Sequence, residues 1–124
     1  MAERKKVLVV DDSKTAQMMT ALIVSKASFE VLTASDGEEG VQKALSEKPD
    51  IILMDVMMPK MDGFEACRRL HENEATRDIP VILVTTRGEA DNVEVGYTSG
   101  CADYVTKPVN SVELLAKLRN HLDR

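Results

Sequence analysis

The sequence predicts an α/β protein, a doubly wound parallel sheet of five strands alternating with five helices, in one domain over residues 1–124. Three observations carry this prediction. Val7-Leu8-Val9-Val10, Ile51-Ile52-Leu53-Met54 and Val81-Ile82-Leu83-Val84 are continuous apolar runs without polar alternation, the pattern of strands covered on both faces in a parallel sheet. Helix signals stand between the strand signals throughout, and strict alternation implies right-handed crossovers that place helices on both faces. Each run also ends in residues that an apolar run does not need: Asp11-Asp12, Asp55 and Thr85-Thr86.

The elements follow in order. After the first strand, Ser13 can cap a helix to about Lys26, with Met19, Leu22 and Ile23 as its apolar face. Glu30 to Ala34 is a less apolar strand, as suits a sheet edge. Asp36-Gly37-Glu38-Glu39 has capping-box spacing for a helix through Ser46, stopped by Pro49-Asp50 before the third strand. Asp62-Gly63-Phe64-Glu65 repeats the device and opens a helix to about Glu72. Beyond the fourth strand, Glu89 to Ser99 reads as a helix ended by Gly100, and Asp103-Tyr104-Val105-Thr106 as the fifth strand, delivering Lys107-Pro108. Asn110-Ser111-Val112-Glu113 opens the last helix, whose Val112, Leu115, Leu118 and Leu122 form a stripe expected to face the sheet.

Composition narrows the function classes. A chain of 124 residues with 44% hydrophobic and 30% charged residues is globular in character and long enough to bury a core. Sixteen basic against 21 acidic residues, a net charge of -5, argue against direct nucleic-acid binding, which needs clustered Lys and Arg. No apolar stretch reaches membrane-span length and the amino terminus lacks a signal-peptide core, so a cytoplasmic protein without membrane insertion is expected. Cys67 and Cys101 show no metal or redox spacing and read as reduced, packed thiols; His71 and His121 read as surface residues. With no linker, repeat or low-complexity segment, no output domain is expected.

In open parallel sheets, ligands bind beyond the carboxyl ends of the strands. Asp11, Asp12, Asp55, Thr85 and Lys107 are therefore expected to converge. An Asp after a strand is often only a helix N-cap, which is the preferred reading of Asp36 and Asp62. Asp11 and Asp12 exceed what one cap requires when Ser13 is available, and no helix begins after Asp55 until Asp62. Three carboxylates and one ammonium leave a charge of about -2, and crowded carboxylates raise one another's pKa unless a cation intervenes. All-oxygen ligands select a hard ion such as Mg2+. Such a site leaves room for a phosphate, whose oxygens Thr85 and Lys107 suit, and a carboxylate can itself become an acyl phosphate. No second acid or base is present to drive rapid turnover, so a site that takes up and holds a phosphoryl group is expected rather than an enzyme.

Together, Val7-Leu8-Val9-Val10-Asp11-Asp12-Ser13, Asp55-Val56-Met57-Met58-Pro59-Lys60-Met61-Asp62-Gly63 and Asp103-Tyr104-Val105-Thr106-Lys107-Pro108 resemble the response-regulator receiver family, the CheY-like domains of two-component signalling. The resemblance spans essentially the whole chain and implies the flavodoxin-like strand order 2-1-3-4-5. It implies Asp55 as phosphoacceptor, Asp12 as a direct Mg2+ ligand, Asp11 as one acting through water, and the Met57 backbone carbonyl as a further ligand. Thr85 and Lys107 would bind phosphoryl oxygens, Tyr104 would be the aromatic switch, and the Lys107–Pro108 peptide would be cis. Implied partners are a sensor histidine kinase or histidine phosphotransfer protein, and a target protein at the face of the Glu89–Ser99 helix, the last strand and the last helix. Val93, Val95 and Leu114 are candidate contacts there. Chemotaxis, motility and other phosphorelays all fit.

Thr86, Cys101 and Val109 depart from the family's usual residues, and Thr86 is expected to slow donor entry. Met57 and Arg87 flank the path of a hydrolytic water in this family. An apolar Met57 and a covering Arg87 imply slow self-dephosphorylation. Two alternatives compete. An aspartyl-phosphate phosphatase of the haloacid dehalogenase type would carry an Asp two residues after the nucleophile, where this chain has Met57. A degenerate, phosphorylation-independent binding module would lack part of the Asp, Thr and Lys set, and none is lacking.

Overall fold

A computed structural model describes residues 4–85 and 100–122. In chain order the elements are β1 (Lys6–Val10), α1 (Lys14–Lys26), β2 (Glu30–Ala34), α2 (Gly37–Glu47), β3 (Ile51–Asp55), α3 (Gly63–Glu72), β4 (Val81–Thr85), β5 (Asp103–Thr106) and α4 (Ser111–Leu122). The strands form one parallel sheet in the order β2-β1-β3-β4-β5. This is the CheY-like, flavodoxin-like arrangement. Four of the five expected helices are seen; the helix expected over Glu89–Ser99, with Thr86, Arg87, Val93 and Val95, lies outside the described residues.

Alternation along the strands divides the core into two layers. Leu8, Val10, Ile52, Met54 and Leu83 point to the side covered by α2 and α3, where Ala44, Ala66, Cys67 and Leu70 meet them. Val7, Val9, Ile51, Leu53, Ile82, Val84 and Val105 point to the side covered by α1 and α4, against Val24, Leu114 and Leu118. All five residues of β3 and of β4 are buried, as their unbroken apolar runs require, whereas edge strand β2 buries only Ala34 fully.

The caps form as the sequence predicts. Ser13 accepts from the Ala16 N–H, Asp36 from Glu39, Asp62 from Glu65 and Asn110 from Glu113. In the box at Asp36 the Glu39 carboxylate reaches back one residue further than the usual pattern, to the Ser35 N–H.

Three expectations need correction. On α1 the buried residues are Gln17, Thr20 and Val24; of the expected face Ile23 packs partly buried against the core, while Met19 and Leu22, with Met18, are exposed. Met19 retains 64% of its surface, so the longest apolar side chains of α1 face away from the sheet. On α4 the seam is Leu114 and Leu118, one turn apart and fully buried, with Leu115 and Leu122 flanking, so Leu114 is a core residue and not the exposed target contact expected of it. Val112, two residues before Leu114 and so on the opposite side of the helix, is 77% exposed. Finally, His121 is not a plain surface residue: its Nε2 lies 3.2 Å from Asp103 Oδ2. Both cysteines are buried and unbridged, with burial pushing the Cys67 thiol up to about 12 and Cys101 to about 11. Among the described residues no helix is long and apolar enough to cross a membrane.

Candidate functional site

Parallel pairing brings the carboxyl ends of β1, β3, β4 and β5 to one edge. Val10 lies beside Met54, Asp55 beside Val84 and Thr85 beside Thr106. The residues that end or follow these strands, Asp11-Asp12, Asp55, Thr85 and Lys107, therefore share one end of the sheet. A carboxylate oxygen from each of Asp11, Asp12 and Asp55 lies within 4.8 Å of the others, with Asp11 and Asp55 buried and Asp12 exposed. Lys107 reaches across from the end of β5: its Nζ is 3.0 Å from Asp55 Oδ1 and 3.5 Å from Asp11 Oδ2. Its peptide bond to Pro108 is cis.

The electrostatics of Asp55 follow from that geometry. Burial raises its pKa from 3.8 to about 6; Lys107 opposes this and Asp11 and Asp12 add to it. For Lys107, burial disfavours the charge, but the facing Asp55 and Asp11 outweigh it and hold the ammonium above its usual value. Among the described residues, Asp55 Oδ1 and Thr85 Oγ1 are buried polar atoms that make no hydrogen bond, although the Lys107 ammonium stands 3.0 Å from Asp55 Oδ1 as an ion-pair partner. Buried polar atoms are seldom left this way unless a ligand completes them. An all-oxygen set with a negative excess, one member exposed and one carboxylate oxygen orphaned, fits a hard divalent cation.

Asp11 is held from three directions. Its N–H donates to the Ala34 carbonyl at 3.1 Å, its Oδ1 accepts from the Ser13 N–H at 2.9 Å, and its own carbonyl accepts from Gln17 Nε2 at 3.2 Å. One Asp11 oxygen thus holds the turn into α1, whose cap is Ser13, and the other faces Lys107. Gly63 brings α3 against the end of β3, since a Cβ there would stand 2.4 Å from the Asp55 carbonyl oxygen. In the sequence Gly63 stands out only within the capping box and the Asp55–Gly63 motif, and Gln17 does not stand out at all. A glycine one residue after a cap signals a close approach, whereas nothing in the local pattern marks the glutamine.

The remaining candidates are placed as follows. Met57 has an exposed side chain between buried Val56 and Met58. Tyr104, opposite Leu83 in the β4–β5 ladder, packs partly buried against the α2–α3 layer. Lys117 lies 5.0 Å from its ring centroid and donates to its carbonyl. Arg87 lies outside the described residues.

Comparisons with known proteins agree with this architecture. Residues 7–119 match the family model described as response regulator receiver domain. Protein PilH of Pseudomonas aeruginosa is 42% identical over 110 residues, covering 89% of this chain and 91% of PilH. The structure of chemotaxis protein CheY4 of Vibrio cholerae superposes with a TM-score of 0.90 at 33% identity, covering 97% of this chain and all of CheY4. The receiver domain of the sensor histidine kinase PA1611 from P. aeruginosa, with a magnesium ion coordinated in its active-site cleft, gives a TM-score of 0.90 at 27% identity, over 98% of this chain and all of that one. The first curated relatives are longer: this chain spans about half their length.

Proposed function

The chain belongs to the response regulator receiver family, and from that premise we propose that it is a phosphorylation-controlled switch whose phosphoacceptor is Asp55. The observation that carries this reading is a buried carboxylate at the end of β3, facing Asp11, Asp12 and Lys107 with one oxygen unsatisfied. In the proposed step an Asp55 oxygen attacks the phosphorus of a phosphohistidine, the P–N bond breaks, and an acyl phosphate remains on Asp55. The donor is a sensor histidine kinase or a histidine phosphotransfer protein.

Asp12 and Asp55 would hold Mg2+ directly, with Asp11 acting through water and the Met57 carbonyl as a further oxygen. The ion would neutralise charge on the phosphoryl oxygens. The magnesium coordinated in the active-site cleft of the PA1611 receiver supports Mg2+ as the ion. Lys107, already poised 3.0 Å from Asp55, would pair with a phosphoryl oxygen, and the unpartnered Thr85 hydroxyl would donate to another. Movement of Thr85 toward the phosphate would open space for the Tyr104 ring, on the same face of the β4–β5 ladder. The new surface, formed by β5, α4 and the segment before β5, would then recruit a target protein. We take the chain to be a signalling module rather than a phosphatase, because the position two residues after Asp55 holds the thioether of Met57. That residue, with Arg87, would make the signal long-lived.

The test is incubation with a small phosphodonor. Wild type should gain one acid-labile phosphoryl group in the presence of Mg2+. Undiminished labelling of Asp55→Ala, or labelling unaffected by chelator, would defeat the proposal.

A further inference from the structure

Gln17 is a polar side chain in a place where α1 is expected to present an apolar one. It is 2% exposed and faces the sheet on the same side of the helix as Thr20 and Val24. Its amide is fully engaged. Nε2 donates to the Asp11 carbonyl at 3.2 Å and to the Ala34 carbonyl at 2.8 Å, while Oε1 accepts from Lys14 Nζ at 3.5 Å. The amide orientation is forced, because a flip would set its oxygen against two carbonyl oxygens.

These contacts bear on the acidic pair in a specific way. The Ala34 carbonyl also accepts from the Asp11 N–H, so Gln17 closes a knot between the ends of β1 and β2. By binding the Asp11 carbonyl, it fixes the peptide plane joining Asp11 to Asp12. That plane sets the direction in which Asp12 leaves the sheet, and Asp12 is the one exposed member of the carboxylate cluster. Asp55 sits on a fully buried strand and Asp11 is held by Ser13 and Lys107, so Asp12 has most to gain from an external brace. We propose that Gln17 is a positioning residue for the cation site, holding the Asp11–Asp12 peptide so that the Asp12 carboxylate converges on Asp11 and Asp55.

This inference rests on the reading of the cluster as a divalent-cation site. Groups that orient metal ligands from behind typically contribute about 10-fold or more to affinity. Gln17→Met keeps the length and approximate volume of the side chain and removes its donors. It should weaken Mg2+ binding about 10-fold by calorimetric titration. It should also raise the Mg2+ concentration for half-maximal labelling by a small phosphodonor to the same degree, with the rate at saturating Mg2+ close to wild type. Val24→Ala, two turns along the same buried face, is the structural control: it should lower the melting temperature while leaving Mg2+ affinity unchanged. If Gln17→Met does not fold, Gln17→Asn, whose amide is withdrawn by one methylene, should show the same weakening. Mg2+ affinity within twofold of wild type in the folded Gln17 variant, or an equal loss in Val24→Ala, would overturn the assignment of Gln17 alone. Absence of Mg2+ binding to wild type would instead remove the cation site and this inference with it.

Discussion

Two aspartate–lysine clusters stand at opposite ends of the same sheet, and they are built to opposite specifications. Asp103 opens β5 and is saturated: it accepts from Lys117 Nζ at 3.0 Å and from the Tyr104 N–H at 2.8 Å, with His121 Nε2 at 3.2 Å from its second oxygen. Burial works against its charge, but these partners, led by Lys117, hold its carboxyl below the usual value. Asp55 closes β3 and also faces a lysine at 3.0 Å, yet burial and two neighbouring carboxylates push it up to about 6 and one oxygen makes no hydrogen bond. The difference is instructive because each is an aspartate of the same sheet facing a lysine at 3.0 Å. Asp103, tied into the fold, is surrounded by donors, whereas Asp55, the proposed phosphoacceptor, is left under-satisfied at a cost in stability.

The contrast can be broken at each end. The largest effect is expected from Lys107→Ala, which should still accept phosphate, more slowly, but show by NMR none of the change at Tyr104 that is expected of phosphorylated wild type. A wild-type response at Tyr104 would remove Lys107 from the coupling. Next, Asp55→Asn should stabilise the protein at pH 7. A carboxyl raised from 3.8 to about 6 costs at most about 3 kcal/mol once ionised. Because the folded pKa is raised, this cost is absent below about pH 4 and complete above about pH 6. The gain on denaturant unfolding without Mg2+ should therefore shrink as pH falls, and a pH-independent gain would argue against it.

Asp103→Asn should do the reverse and destabilise by about 1 kcal/mol at pH 7, the scale of a partly exposed ion pair. Its pKa is lowered, so its contribution is present above the ordinary value of 3.8 and is lost as pH falls through the lowered one. Wild type and variant should converge in acid below pH 4; convergence already at pH 6 would contradict this sign. The smallest effect belongs to Met57→Asn, which should speed loss of the phosphoryl group several-fold, about 1 kcal/mol of barrier. Unchanged or slower decay, followed after donor removal, would show that the rate is set elsewhere.

Much of this was legible in the sequence, for reasons that differ by residue. The central strands declare themselves because burial on both faces leaves no polar alternation, and Asp55 stands out because no helix follows it to be capped. The capping side chains Ser13, Asp36, Asp62 and Asn110 act over three residues, within reach of local pattern. What failed is what depends on distant partners. Apolarity alone assigned Met19 and Leu22 to the core, but the seats beneath α1 are taken by Gln17, whose partners are backbone carbonyls that no side-chain pattern reports. On α4 the choice between Leu114 and Val112 turns on helix rotation against β5 and β3, and two interleaved apolar stripes leave that undecided. His121 looked solitary because its acid, Asp103, is 18 residues away.

The central claim is that Asp55, completed by a divalent cation, carries the phosphoryl group. The most direct measurement is to phosphorylate wild type with a small phosphodonor, reduce with borohydride, and locate the modified residue by peptide mass spectrometry. An aspartyl phosphate is converted to homoserine. Homoserine at position 55, formed with Mg2+ and absent with chelator, is the predicted result; homoserine at position 11, 12 or elsewhere, or at position 55 regardless of chelator, would contradict it.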